Sequence, residues 1–250
     1  MEKYYVYNET IIFNCEFNEP LTEYIGIIKN YKKLIFSNYH DYKLCVETNS
    51  EHIIEYQIHY NSKFNKPLTN SLDGLNNLTH LTFGASFNQP LANSLDSLTE
   101  LNQLTFGRDF NQTVEGALDN LTQLQQLTFG DNFNRPLANS LDSLTELKQL
   151  TFGRHFNQPV KGALNNLTQL RQLTFGDYFN QPVDEGAFDN LTELEQLTFG
   201  FSFAKPLANS LKNLTELKQL TFGASFDQPL ANSLDNLSQL QQLTFTPFEI

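Results

Sequence analysis

The sequence predicts an α/β solenoid, a stack of short coils that each add one strand to a parallel β-sheet. Three observations carry this. A segment of the form Phe-Asn-x-Pro-Leu recurs with its first Phe at Phe64, Phe87, Phe110, Phe133, Phe156, Phe179, Phe203 and Phe226, a spacing of 23 residues with one of 24, as in a stacked repeat. Each period carries apolar residues at positions 1, 5, 9, 12, 15, 18 and 20, counted from that Phe. The Leu-Thr-Phe at positions 18 to 20 alternates in, out, in, as a short strand with one buried face does.

The elements follow in chain order. Strands are predicted near 11–13, 34–36, 58–60, 81–83, 104–106, 127–129, 150–152, 173–175, 197–199, 220–222 and 243–245, the first three from degenerate repeats such as Ile11-Ile12-Phe13 and Ile58-His59-Tyr60. Opposite each strand, Asn-Ser-Leu-Asp-Ser-Leu spaces its leucines three apart and predicts a single helical or 3₁₀ turn, because a full helix does not fit in 23 residues. The one extra residue falls within 183–188, in a connecting turn, and leaves the apolar register intact. Seven buried side chains do not offset the ordering of 23 backbone units, so a single repeat depends on its neighbours. Residues 1–57 read as degenerate capping repeats, 58–245 as regular repeats and 246–250 as a short tail of one continuous solenoid.

Ten of the 22 Phe occupy position 20 and nine occupy position 1, which predicts two buried spines of rings. Asn at position 2 is expected to bond backbone groups between coils. Pro at position 4 presets a bend. Gly at position 21 meets a backbone constraint or close approach.

Composition narrows the function. The chain has 28 acidic and 16 basic residues, a net charge of −12, which repels phosphate backbones and anionic lipid and excludes nucleic-acid and membrane-surface roles. Cys15 and Cys45 are its only cysteines, too few for a disulfide framework or a cysteine-based zinc site. There is no secretory signal and no long apolar span, so a reducing, cytoplasmic location is expected. His59 and His80, expected on adjacent strands, are too few for a zinc site. The eight Asn-x-Ser/Thr sequons mostly recur with the repeat and read as structural. No phosphate loop, nucleophile elbow or carboxylate pair stands out, so no catalytic, metal or cofactor site is predicted and the chain reads as a non-enzyme.

The run L-x-x-L-x-F-G-x-x-F-N-Q-P-L, intact over 78–91, resembles leucine-rich repeat proteins carrying the FNIP or FGxxFN motif, which are abundant in giant viruses of protists and in social amoebae. The resemblance spans 58–250, with a weaker trace over 11–57. It implies a leucine-rich-repeat solenoid: a curved right-handed superhelix with a parallel inner sheet and short 3₁₀ or helical turns on the convex side. It also implies protein recognition, in the host cytoplasm if the chain is viral. Some such proteins carry an F-box ahead of the repeats, for which there is no room before the strand near Ile11.

On the outer face of the predicted strands Gln at position 17 and Thr at position 19 hardly vary, whereas positions 22 and 23 do: Arg108-Asp109, Asp131-Asn132, Arg154-His155, Asp177-Tyr178, Phe201-Ser202. Variable side chains on a uniform frame suit a recognition surface. Residues 87–132 and 133–178 differ at eight of 46 positions, none an inward apolar one. The first block has six acids and one base, the second three acids and five bases, so net charge moves from −5 to +2. Lys148, Arg154, His155, Arg171 and Tyr178 are therefore expected to form one basic, aromatic-tipped edge for a protein partner. The alternative is a structural or self-associating solenoid. Little chain follows the last strand, so either Phe248 folds back over the spine or this end packs against a second copy as a homodimer.

Overall fold

A computed structural model describes residues 3–38, 61–183 and 186–247. It contains eleven strands in one sheet, in chain order: β1 (Tyr4–Tyr7), β2 (Thr10–Phe13), β3 (Lys33–Phe36), β4 (His80–Thr82), β5 (Gln103–Thr105), β6 (Gln126–Thr128), β7 (Gln149–Thr151), β8 (Gln172–Thr174), β9 (Gln196–Thr198), β10 (Gln219–Phe222) and β11 (Gln242–Phe245). From β2 to β11 every pairing is parallel, and like stands beside like: Gln103 with Gln126, Leu104 with Leu127, Thr105 with Thr128. The strands β2 to β11 begin one residue earlier than predicted because the residue at position 17, Gln from β5 onward, already joins the ladder.

Two N-terminal features depart from expectation. β1 pairs antiparallel with β2 through a tight turn in which Asn8 has φ 51°, a conformation Asn tolerates better than most residues. β3 pairs directly with β4, Leu34 beside Leu81, so no strand lies between them; the predicted strand 58–60, and the boundary proposed at 57/58, lie outside the described residues. Accordingly Phe17 stacks on Phe64 at 5.9 Å although 47 residues separate them. His80 has Lys33 and Gln103 as cross-strand neighbours, so the positions expected for a His59–His80 pair are filled by other residues.

The Phe residues at positions 1 and 20 form one double column. Along position 20, successive rings lie 5.7, 5.7, 5.6 and 5.6 Å apart from Phe83 to Phe175. Position-1 rings lie 6.1 Å apart from Phe87 to Phe133. The columns interlock at 4.0 Å within each coil, as in Phe106–Phe110 and Phe129–Phe133. Such offset stacking is the favoured arrangement of aromatic pairs.

Glycine at position 21 answers to close packing. A Cβ on Gly107, Gly130, Gly153 or Gly176 would overlap the carbonyl of the glycine one coil earlier, at ordinary φ. The position-2 ladder is present: the N–H of Asn88, Asn111, Asn134, Asn157 and Asn180 donates to the Asn Oδ1 one coil back at 2.9–3.0 Å. Ala204 still donates to Asn180 at 3.1 Å, so loss of the amide breaks only the following rung.

A second amide ladder runs along the far side. The Nδ2 of Asn166, Asn190, Asn213 and Asn236 donates to a backbone carbonyl of the previous coil at 2.8–3.3 Å. These are the Asn residues of Asn-Leu-Thr and Asn-Leu-Ser sequons.

The turns opposite the sheet carry isolated i to i+3 bonds, such as Leu98 N–H to Leu95 O at 2.9 Å and Leu101 N–H to Leu98 O at 3.0 Å. Helical segments among the described residues are α1 (Ile25–Ile28) and 3₁₀ turns at Leu21–Glu23 and Ala231–Leu234. Two coil forms occur. Ala92, Ala138 and Ala208 take φ of 42–43° beside buried Ser94, Ser140 and Ser210; Gly116, Gly162 and Gly186 take φ of 72–93° beside buried Ala117, Ala163 and Ala187. That small residue is an eighth inward site.

Candidate protein-binding margins of the sheet

Thr at position 19 of β4 to β9 is half-buried beside identical neighbours and supports the frame. The residues expected from sequence to bind a partner lie on the two margins of the sheet. Lys148 and Arg171 immediately precede β7 and β8, whereas Arg154, His155, Asp177 and Tyr178 follow those strands by three or four residues. Six residues of extended chain separate Lys148 from Arg154, roughly 20 Å, so the single basic edge expected from sequence is divided between two margins.

On the leading margin charges are locally matched: Arg171 lies 3.8 Å and Lys218 3.0 Å from Glu195, and Lys148 donates to Gln125 at 3.3 Å. Exposed pairs of this kind add little stability. Glu195, which replaces an amide or a base in this column, was not among the expected site residues; its charge reversal against Arg171 and Lys218 was the signal.

The trailing margin is more organised. The Arg154 guanidinium stands over the Tyr178 ring at 5.4 Å and pairs with Asp177 at 3.3 Å. His155 meets the same ring edge-on at 5.0 Å, and its Nδ1 is 3.0 Å from the Asp131 carbonyl. Arg108 donates to Asp109 at 2.9 Å and to Asn61 at 3.3 Å, and the Asp109 carboxylate raises its already high pKa. Asn132 donates to Asp109 at 3.2 Å. Tyr178 and Phe201 are 43% and 42% exposed, unlike the buried Phe columns.

Between the Thr column and these side chains runs an open groove of about 490 Å³, floored by Gly130, Gly153 and Gly176 and walled by Arg108, Asp131, Arg154 and Asp177. It exists because close approach of the coils forbids a side chain at position 21. Its charge alternates rung by rung: plus, minus, plus, minus. Among the described residues no three His, Cys, Asp or Glu side chains gather as metal ligands, and no helix is long and apolar enough to cross a membrane.

A parallel sheet with one strand per short coil, a leucine core and turns opposite the strands defines a leucine-rich-repeat solenoid. The profile of the BspA-type leucine-rich repeat region matches in six copies, over residues 69–182 and 160–248. This is most of the chain, and the chain belongs to that family. No protein of curated function matches it in sequence.

Among solved structures it is similar to an internalin (InlF) from Listeria monocytogenes, 25% identical with TM-score 0.54, covering 72% of this chain and 58% of that one. It is also similar to a chain of the mouse RP105/MD-1 complex, 21% identical with TM-score 0.59, covering 68% and 31%. A third is a chain of the Drosophila Toll–Spatzle complex, 15% identical with TM-score 0.62, covering 95% and 31%. The chain thus spans less than two thirds of each of these structures, and the last two show the fold alone.

Proposed function

We propose that the protein is a non-enzymatic recognition module of the cytoplasm that binds a protein partner through the trailing margin of its sheet. The observation that carries this is the exposed cluster of Arg154, His155 and Tyr178 at one end of the groove, with Phe201 one coil further on. Arg and aromatic side chains dominate the energetics of protein interfaces, and the alternating charges beside them provide register and selectivity more than affinity. The FGxxFN resemblance supports the same reading, since each residue of the motif has a frame role: Phe in the columns, Gly at the close approach, Asn in the ladder. A frame so fixed leaves positions 22 and 23 to vary.

The test is a photo-crosslinking amino acid placed at Tyr178, and separately at Glu193 on the turn side, in the native cell. A protein captured from position 178 and absent from 193 is the expected result. Equal capture from both sites, or none from 178, contradicts the proposal.

A further inference from the structure

The two ends of the stack are built differently. At the N-terminal end β1 covers β2, and the inward residues Ile11, Phe13 and Phe17 are at most 3% exposed. At the other end β11 pairs with β10 alone among the described residues, and its inward residues Leu243 and Phe245 are 38% and 49% exposed, where Leu220 and Phe222 one coil earlier are at 0%. Phe226, Leu230, Leu234 and Leu240 of the same coil are only partly buried. Among the described residues this is an unpaired parallel edge joined to an uncovered apolar layer, and such a surface invites association.

We infer that this face is an interface between two copies of the chain, joined by antiparallel pairing of β11 with its symmetry mate about a twofold axis through Thr244. Inner coils show which groups face outward. Phe199 N–H donates forward to Thr221 O at 2.9 Å, whereas Thr246 N–H donates back to Phe222 O at 2.9 Å. By this alternation the amides and carbonyls of Leu243 and Phe245 face the open edge. Antiparallel pairing centred on Thr244 sets Leu243 opposite the second copy's Phe245, and the reverse. Both are then hydrogen-bonded pairs, with Thr244 facing itself in the non-bonded pair between them.

A twofold perpendicular to the sheet keeps the inward side chains of both copies on one side, so the apolar layer runs on through the junction, with the leucine column of each copy meeting the Phe column of the other. A parallel arrangement by a twofold along the strands would turn one core outward. Head-to-tail growth is stopped because β1 covers the columns at the other end and runs in the opposite direction. The contact is isologous and closes at two copies. Residues 223–247 carry Asp227 and Asp235 and no base, so the junction is apolar between like-charged ends and strengthens as salt rises. Binding at the charged margins has the opposite salt dependence and uses other residues, so failure of either proposal leaves the other standing.

The experiment is sedimentation velocity of the 250-residue chain over a roughly hundredfold concentration range, with two variants. The unsubstituted chain is expected to approach about 57 kDa, twice its 28.7 kDa. Thr244→Cys is expected to trap that dimer as a disulfide, since non-bonded antiparallel pairs place Cα atoms about 4.5 Å apart, within disulfide reach. Leu243→Glu with Phe245→Glu changes side chains that are already exposed, and is expected to leave the circular dichroism unchanged while weakening association by roughly tenfold or more. A chain that stays monomeric, a dimer that Thr244→Cys fails to trap beyond the unsubstituted control, or a dimer that survives the double substitution overturns the inference.

Discussion

Replacing Phe129 by Ala tests the packing argument at its centre. The ring is 1% exposed, lies 5.7 and 5.6 Å from Phe106 and Phe152 along its column, and stacks at 4.0 Å on Phe133 of the other column. Removing it takes away the transfer free energy of an aromatic ring and leaves a hole walled by three rings that their own neighbours hold in place. Little collapse is open to them, so the loss falls within the roughly 3–5 kcal/mol of buried Phe→Ala substitutions. That is a large share of the ~5–15 kcal/mol typical of whole domains. Coils contact only their neighbours, so the lesion also uncouples the stack at β6 and lowers the slope of the unfolding transition as the halves separate. Urea unfolding followed by circular dichroism measures both, with Phe201→Ala as the exposed control, expected within about 0.5 kcal/mol of the parent. A Phe129→Ala variant within about 1 kcal/mol of the parent refutes the double column as the source of stability.

Two further substitutions probe the frame. Gly153→Ala places a methyl group on the carbonyl of Gly130 and is expected to cost about 1–3 kcal/mol as an overpacked site, whereas Gly162→Ala acts only through its φ of 86° at about 1–2 kcal/mol; equal melting temperatures for Gly153→Ala and the parent would contradict the close approach. His80 has its pKa lowered, first by burial and then by Lys33 across the sheet. The native state therefore binds fewer protons than the unfolded chain, and stability present above the unfolded value of about 6.5 is lost as pH falls from there to the folded value. His80→Gln, which installs the residue its neighbour Gln103 already has, is expected to flatten the melting temperature across that window; an unchanged slope would show that His80 is not its source.

The strands were legible to within one residue because every coil repeats the same apolar vote, and the Phe columns because 19 of 22 Phe fall at two positions. The first coils were less so. Tyr4-Tyr5-Val6-Tyr7 has strand-forming side chains and an Asn at the turn, but it lies outside the period and pairs antiparallel, so the repeat alignment passed over it. The strand predicted at Ile58-His59-Tyr60 lies outside the described residues; among those described β3 bonds directly to β4, and nothing in a triad records which strands are neighbours.

Leu-Ala-Asn-Ser-Leu and Val-x-Gly-Ala-Leu are two variants of one turn in the sequence, and what separates them emerges only from the positive φ, which falls on Ala in the first and on Gly in the second. The candidate site divides for a geometric reason. Lys148 and Arg154 are near in sequence and share a sign, but a strand lies between them. The groove itself depends on a glycine column whose role is contact between coils, which residue spacing does not report.

The central claim is that the trailing margin recognises a protein while the rest of the sheet is frame. Its most direct measurement is the association rate of a partner crosslinked through Tyr178, across ionic strength, for three chains. These are the parent, His155→Asp with Tyr178→Asn on the trailing margin, and Lys148→Asn with Arg171→Gln on the leading margin; each pair restores residues of the 87–132 block. All three are expected to fold alike, since the substituted side chains lie at the surface. The trailing-margin variant is predicted to associate at least about tenfold more slowly at low salt, with the difference shrinking as salt rises, while the leading-margin variant stays close to the parent. Equal rates for parent and trailing-margin variant at every ionic strength would contradict the claim.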